Sequence, residues 1–164
     1  MKIRECKPRG YFAALLSILL ITTALLAGCS NPEKTKLAHV ERGEQYLKDR
    51  RFEEASLEFR NAMQIDEAMA AAHWGLARAF EGLGRVPEAI IELQRTVQLD
   101  PNNLDARVKL GNFYAFFGKM TEAEALARDV LQKDPNHIEG HILLATVFAG
   151  QDKPEEALAE LNRA

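Results

Sequence analysis

The stretch His137-Ile138-Glu139-Gly140-His141 places two imidazoles and a carboxylate within five residues. A zinc ion needs three or four such groups within ~2.0–2.3 Å of one point. These residues straddle a turn and a helix start, and no further ligand stands near them in sequence. A surface turn therefore explains them better. His39, His73 and His141 share one position of a repeating pattern. Equivalent helices pack ~8–10 Å apart, too far for one metal, so helix-surface positions are expected for all three. Gly82-Leu83-Gly84 looks like part of a phosphate loop, but it follows a helix rather than a strand. The motifs HExxH, GxSxG, CxxC and GxxxxGK followed by Ser or Thr are absent. The expectation is no enzyme, no cofactor and no metal.

Cys29 is different. A basic start with Lys2, Arg4, Lys7 and Arg9 leads into an unbroken apolar run from Tyr11 to Leu26, and Leu26-Ala27-Gly28-Cys29 closes it. This resembles the lipobox of bacterial lipoproteins. The resemblance implies diacylglyceryl transfer to the Cys29 thiol, cleavage after Gly28 and acylation of the new amino terminus. Acyl chains contribute ~0.8 kcal/mol per buried CH₂, and three of them anchor firmly. A plain transmembrane anchor is the competing reading, because Tyr11–Gly28 lies near the lower length limit for a span. The cysteine at the end of the apolar run, followed at once by Asn31-Pro32, favours the lipoprotein. Ser30 stands where an aspartate would by resemblance retain the protein in the inner membrane. The expected address is the periplasmic face of the outer membrane. Cys6 would leave with the signal peptide.

Partners are bounded by charge. The formal net charge is −3, and the leader carries four of the basic residues. Nucleic acid is disfavoured, because phosphate binding needs a basic stripe and none is present. No cysteine lies beyond Cys29, so no disulfide framework supports the rest.

The elements that position these residues follow from a period. Ala55, Ala89, Ala123 and Ala157 fall 34 residues apart, as do Tyr46, Phe80, Tyr114 and Phe148. Gly84 and Gly118 share the spacing, and so do Asp100-Pro101-Asn102 and Asp134-Pro135-Asn136. A fixed period of this length means a stacked array of one supersecondary unit. Small and aromatic residues recur where two packed helices need them. The pattern resembles the tetratricopeptide repeat family, which implies an all-α, right-handed α-solenoid of helix-turn-helix units. The expected organisation is a signal peptide over 1–28, the lipidated cysteine and a short linker over 29–35, and a repeat domain over 36–164. The repeats are 36–69, 70–103, 104–137 and an incomplete 138–164.

Local signals fill in the units. The first repeat is expected to form helices over about Lys36–Asp49 and Phe52–Ile65. Arg42 replaces the usual leucine and Glu67 the usual proline, as terminal repeats tolerate. Gly84 supplies a positive φ, Pro87 starts a helix and Asn103 caps one. Thr121 with Glu124 reads as a capping box. Ala127 replaces the family's usual large aromatic, so a neighbour must fill that space or a small cavity remains. Asp152 tolerates the left-handed conformation in place of glycine. Ala157, Leu158 and Leu161 lie on one helical side, where a following repeat would normally cover them.

In the family the second, fifth, ninth, twelfth and thirteenth positions of each first helix project into the concave groove. The fifth positions are Val40, Trp74, Val108 and Ile142, an apolar rung; the ninth are Glu44, Arg78, Asn112 and Thr146, a polar one. Residues four apart share a helix face, so the rungs run side by side. A protein or peptide in the groove could bury side chains on the first and hydrogen-bond to the second. An equal reading of Val40, Val108 and Ile142 is that they seal contacts between neighbouring repeats, and of Glu44 and Arg78 that they pair across repeats. Trp74 stands one residue off the family's tryptophan, which turns it ~100° toward the groove. A chaperone-type carboxylate clamp does not fit, because Val40, Glu44 and Val108 occupy its positions. Two functional readings follow: a lipid-anchored scaffold binding protein partners in the bacterial envelope, or the leading segment of a longer protein with an enzymatic or export domain.

Overall fold

The second helix of each of the first three units carries one buried stripe at spacing i, i+4, i+7. Ala55, Phe59 and Ala62 form it first, then Ala89, Leu93 and Thr96, then Ala123, Ala127 and Val130. Such a stripe covers one face of a helix. The first helices must pack on two sides, against their own partner and the neighbouring unit. The second unit's first helix accordingly buries Ala72, His73, Gly75, Leu76, Ala77, Ala79 and Phe80.

A computed structural model describes residues 31–164. The readings of Cys29 and of the leader lie outside the described residues. Among the described residues are eight helices and no strand: α1 (Pro32–Lys48), α2 (Phe52–Ile65), α3 (Ala70–Gly82), α4 (Val86–Leu99), α5 (Leu104–Phe116), α6 (Met120–Lys133), α7 (Ile138–Gly150) and α8 (Pro154–Leu161). Each helix packs on the next, and the first helices of neighbouring units touch, α1 on α3 and α5 on α7. None of these helices is long and apolar enough to cross a membrane.

α1 begins four residues before the expected start, so most of the expected linker is helical. Pro32 suits a first helical position, and Glu33 favours a helix start. Lys36 then ties the turn down, reaching Glu33 at 2.8 Å and Asp66 at the end of α2 at 2.6 Å.

The turn inside each unit is the same four times over. Arg50, Gly84, Gly118 and Asp152 all take positive φ, between 57° and 74°. The following N–H reaches back to the aromatic residue's carbonyl: Arg51 to Tyr46, Arg85 to Phe80, Lys119 to Tyr114 and Lys153 to Phe148, at 2.8–2.9 Å. This six-to-one bond satisfies a carbonyl that the helix end leaves open. The same four basic side chains lie 4.6–5.7 Å from those ring centres. Each turn thus carries a cation–π contact.

The turn between units is held by aspartate. The carboxylates of Asp66, Asp100 and Asp134 accept from the N–H groups of Ala68, Asn102 and Asn136 at 3.0–3.1 Å. Glu67 in place of proline leaves this turn intact. Asn103 caps α5 as expected, accepting from Ala106 N–H at 2.9 Å. The capping box expected at Thr121 and Glu124 does not form. α6 starts at Met120 with Lys119 at the N-cap, so Thr121 is already inside the helix. Glu124 instead accepts from Arg128 and Gln151.

The core is a series of three clusters, one at each junction between units. At the first junction the Phe59 ring is fully buried and fills the space over Gly43 and Gly75. A Cβ on Gly75 would lie 2.2 Å from that ring. At the third junction the sizes are exchanged. Ala127, 68 residues after Phe59, is small, and Leu143, 68 after Gly75, is large and fully buried. Leu143 is the neighbour that takes up the room Ala127 leaves. The pair keeps its volume while its members swap, which close packing permits.

Candidate functional site

A groove requires that the first helices leave side chains on a common open face. Three of them do so. Trp74 on α3, Val108 and Asn112 on α5, and Glu139 on α7 line one depression of about 310 Å³, together with Asp105 and Lys109. A second depression of about 300 Å³ shares Lys109 and Asn112 with the first. Its other walls are Glu81, Val86, Phe113 and Phe116. Since they share two residues of α5, the depressions form one continuous groove along that helix.

The apolar rung divides between floor and wall. Val108 is 5% exposed and forms floor. Val40 is half-buried against the cluster around Phe59. Trp74 is half-buried too: it packs against the cluster of Ala77, Leu93, Ala106 and Leu110, and also lines the groove. Ile142 is 43% exposed. Of the four, the structure brings Trp74 and Val108 into the same depression.

The polar rung is partly engaged with itself. Arg78 donates to both carboxylate oxygens of Glu44, at 2.9 and 3.0 Å, and its guanidinium lies 5.6 Å from the Trp74 ring centre. The pair joins α1 to α3; half-exposed as it is, it contributes at most ~1 kcal/mol. Lys109 does the same between α5 and α3, donating to both oxygens of Glu81 at 2.9 and 2.7 Å. Thr146 donates to the Ile142 carbonyl of its own helix at 2.9 Å. Asn112 is exposed and lines both depressions.

Asp105, Glu139, Glu81 and Phe116 belong to the site although no rung contains them. The signal was available: they occupy second, twelfth and thirteenth positions of their helices, which the resemblance places in the groove. Lys109 stands at a sixth position and carried no such signal.

The histidines correct the sequence reading. They are not surface positions. His73 and His141 are buried and His39 is half-buried. Each Nδ1 faces a carboxylate 19 residues on: Glu58 at 2.6 Å from His39, Glu92 at 2.6 Å from His73, Glu160 at 2.7 Å from His141. The Nε2 atoms of His73 and His141 face the carbonyls of Glu67 and Pro135, at 2.9 and 3.0 Å. The third unit has Arg107 instead, whose Nε donates to the equivalent carbonyl of Pro101 at 3.0 Å while Nη1 pairs with Asp129. One side chain therefore ties the turn, the first helix and the second helix together in the second, third and fourth units, and His39 joins the two helices of the first. The hydrogen bond to Glu92 raises the His73 pKa above its ordinary value, burial opposes it, and the Glu67 carbonyl adds to the rise. Burial pushes the Glu58 carboxyl up, but hydrogen bonds from Arg42 and His39 outweigh it and hold the group low. A repeated His–Glu spacing of 19 was the sequence signal; reading the histidines without their partners missed it. His137 accepts from Gly140 N–H at 3.2 Å and caps α7. Among the described residues no group of three or more His, Cys, Asp or Glu side chains could hold a metal ion.

Residues 40–103 match one family model described as Tetratricopeptide repeat, and residues 117–164 match a second with the same description. Together the matches span more than half of the chain. No curated protein sequence matches it. Several solved structures share the fold. A crystal structure of MamA is 22% identical with a TM-score of 0.72, covering 87% of this chain and 81% of that one. A structure described as the functional characterisation of Pseudomonas aeruginosa pilF is 23% identical with a TM-score of 0.72, covering 82% of this chain and 61% of that one. The first repeat domain of Spaghetti (RPAP3), bound to the HSP90 peptide SRMEEVD, is 22% identical with a TM-score of 0.68, covering 73% of this chain and 94% of that one.

Proposed function

Since the chain belongs to the tetratricopeptide repeat family, a family of protein-interaction scaffolds, we propose that it is a lipid-anchored scaffold that holds protein partners in the bacterial envelope. The observation that carries the binding part is the continuous groove along α5, with Trp74 and Val108 on one side of Asn112 and Phe113 and Phe116 on the other. An apolar wall with a few convergent polar groups is what an extended peptide needs. That the Spaghetti domain binds a peptide supports the same use of the fold here.

The anchoring part rests on Leu26-Ala27-Gly28-Cys29 at the end of the apolar run. Lipidation at Cys29 would tether the repeat array to a membrane, and Ser30 favours the periplasmic face of the outer membrane. Envelope, pilus and exopolysaccharide export assemblies are the contexts this layout suits.

Two experiments test the two parts. Labelling with a fatty-acid probe should mark the parent chain and not Cys29→Ala; equal labelling would end the lipoprotein reading. Crosslinking in the native envelope should recover partners that Trp74→Ala loses, with binding weakened by ~2 kcal/mol, about thirtyfold. Trp74 also packs on the core, so melting temperature must be followed beside binding. Unchanged capture by a folded Trp74→Ala chain would place the partner elsewhere.

A further inference from the structure

The groove's charges select what can lie in it. Arg78 is answered by Glu44 at 2.9 Å, and Lys109 by Glu81 at 2.7 Å. Neither cation is left to receive an acidic ligand without breaking a pair. Two carboxylates at one end are in the opposite state. Asp105 and Glu139, at the second positions of α5 and α7, have side chains 78% and 68% exposed. Among the described residues, the one ionisable base within ion-pair distance of either is His137, at 4.0 Å from Asp105 and 3.5 Å from Glu139. They line the same depression as Trp74 and Val108, so a negative end that no lysine or arginine pairs with adjoins an apolar floor.

The other end is aromatic. Phe116 is 82% exposed, the most exposed of the large apolar side chains described, and with Phe113 and Val86 it walls the second depression. Asn112, exposed and common to both depressions, offers an amide donor and acceptor between the two ends. From Asp105 to Phe116 the helix rises about 16 Å. An extended chain advances about 3.3 Å per residue, so the two ends are four or five residues apart along a bound peptide.

Resting on the proposed use of this groove for protein partners, we infer that its occupant is an extended segment with a lysine or arginine at the Asp105–Glu139 end and a large apolar side chain four or five residues away, against Phe113 and Phe116. The stem of the basic residue lies across Trp74 and Val108, its charge meets the two carboxylates, and the amide of Asn112 holds the backbone between. The partner chemistry is basic and apolar, opposite in sign to the acidic peptide that the Spaghetti domain binds.

Selection of random octapeptides on the full-length chain tests this directly, followed by anisotropy titration of synthetic peptides carrying Lys and Phe four or five residues apart. Enriched peptides should show that spacing. Glutamate in place of lysine should weaken binding at least tenfold. Asp105→Lys with Glu139→Lys should reverse the preference, and Asp105→Asn with Glu139→Gln should remove it; the second pair serves if the first does not fold. Enrichment of acidic peptides, equal binding of the lysine and glutamate twins, or no enrichment overturns the inference. Trp74→Ala separates the two levels. If it abolishes binding of enriched acidic peptides, the groove reading stands and the charge assignment falls. If it leaves every enriched peptide bound as before, the groove reading falls as well.

Discussion

The Phe59–Gly75 contact makes a quantitative demand. Gly75→Ala would on propensity alone stabilise α3 by about 1 kcal/mol, since glycine is a poor helix former. The added Cβ would lie 2.2 Å from Phe59 Cε1 and Cζ, and Phe59 is fully buried among Leu47, Leu76 and Phe80. Its ring cannot retreat into solvent. Overpacking costs about 1–3 kcal/mol, and a 2.2 Å approach to a ring that cannot move away belongs in the upper half of that range, about 2–3 kcal/mol, so the net effect of Gly75→Ala is a loss of roughly 1–2 kcal/mol. Phe59→Leu alone leaves a void and costs a similar amount. Combined, the smaller side chain vacates the space that the new methyl enters. The double variant should lie within about 1 kcal/mol of the parent, a coupling of at least ~1 kcal/mol in a double-mutant cycle. Urea unfolding of residues 31–164 measures it, with about 3–6 °C of melting temperature per kcal/mol as a check. Additive effects, or a stabilised Gly75→Ala, would refute the volume-exchange argument. The same argument would then fail at Ala127 and Leu143.

Two further outcomes follow from the turns and the buried imidazoles. Arg50 holds φ of 57° where Gly84 and Gly118 stand in later units, so Arg50→Gly should raise stability by up to ~1 kcal/mol, read as a higher melting temperature; a lower one would mean the side chain contributes more than its strain costs. The raised His73 pKa means its contribution is complete below the ordinary value of 6.5 and is lost as pH rises through the folded value, so the parent should melt lower in mildly alkaline than in mildly acidic buffer and His73→Gln should flatten that slope; identical slopes would remove His73 as the cause.

The repeat was legible because its backbone requirements recur at fixed positions. Tyr46, Phe80, Tyr114 and Phe148 marked the inner turn, and positive φ at Gly84, Gly118 and Asp152 followed from their types. Asn103 was legible as a cap because its side chain acts within three residues. The Thr121–Glu124 box had the right letters in the wrong register: α6 begins at Met120, two residues too early for Thr121 to stand outside it as the cap. The His–Glu pairs lay beyond local reading, since 19 residues separate partners that meet only when two helices pack. The space beside Ala127 was foreseen, but not that Leu143 would fill it, because the compensating residue sits in the next unit. The one-residue shift of Trp74 pointed to the groove; that its ring also packs against the cluster of Ala77, Leu93, Ala106 and Leu110 depends on contacts between units and lay beyond local reading.

These contrasts separate what builds the array from what it can recognise. The cation over the turn aromatic recurs in all four units, and the bond from helix side chain to turn carbonyl survives even where Arg107 replaces histidine. The first keeps the period in every unit and the second in every unit that follows another, because the stack needs them. The groove residues break it. The sixth positions run Glu41, Gly75, Lys109 and Leu143; the thirteenth run Lys48, Gly82, Phe116 and Gly150. Stacking demands Gly75 and Leu143, which fill junctions, but nothing in the packing demands Lys109 paired outward to Glu81 or Phe116 left 82% exposed. An exposed aromatic ring loses the stabilisation that burial would supply, so packing alone does not account for it. Selectivity in this chain is therefore to be sought on α5, where the sequence departs from its own repeat and the departure faces the groove.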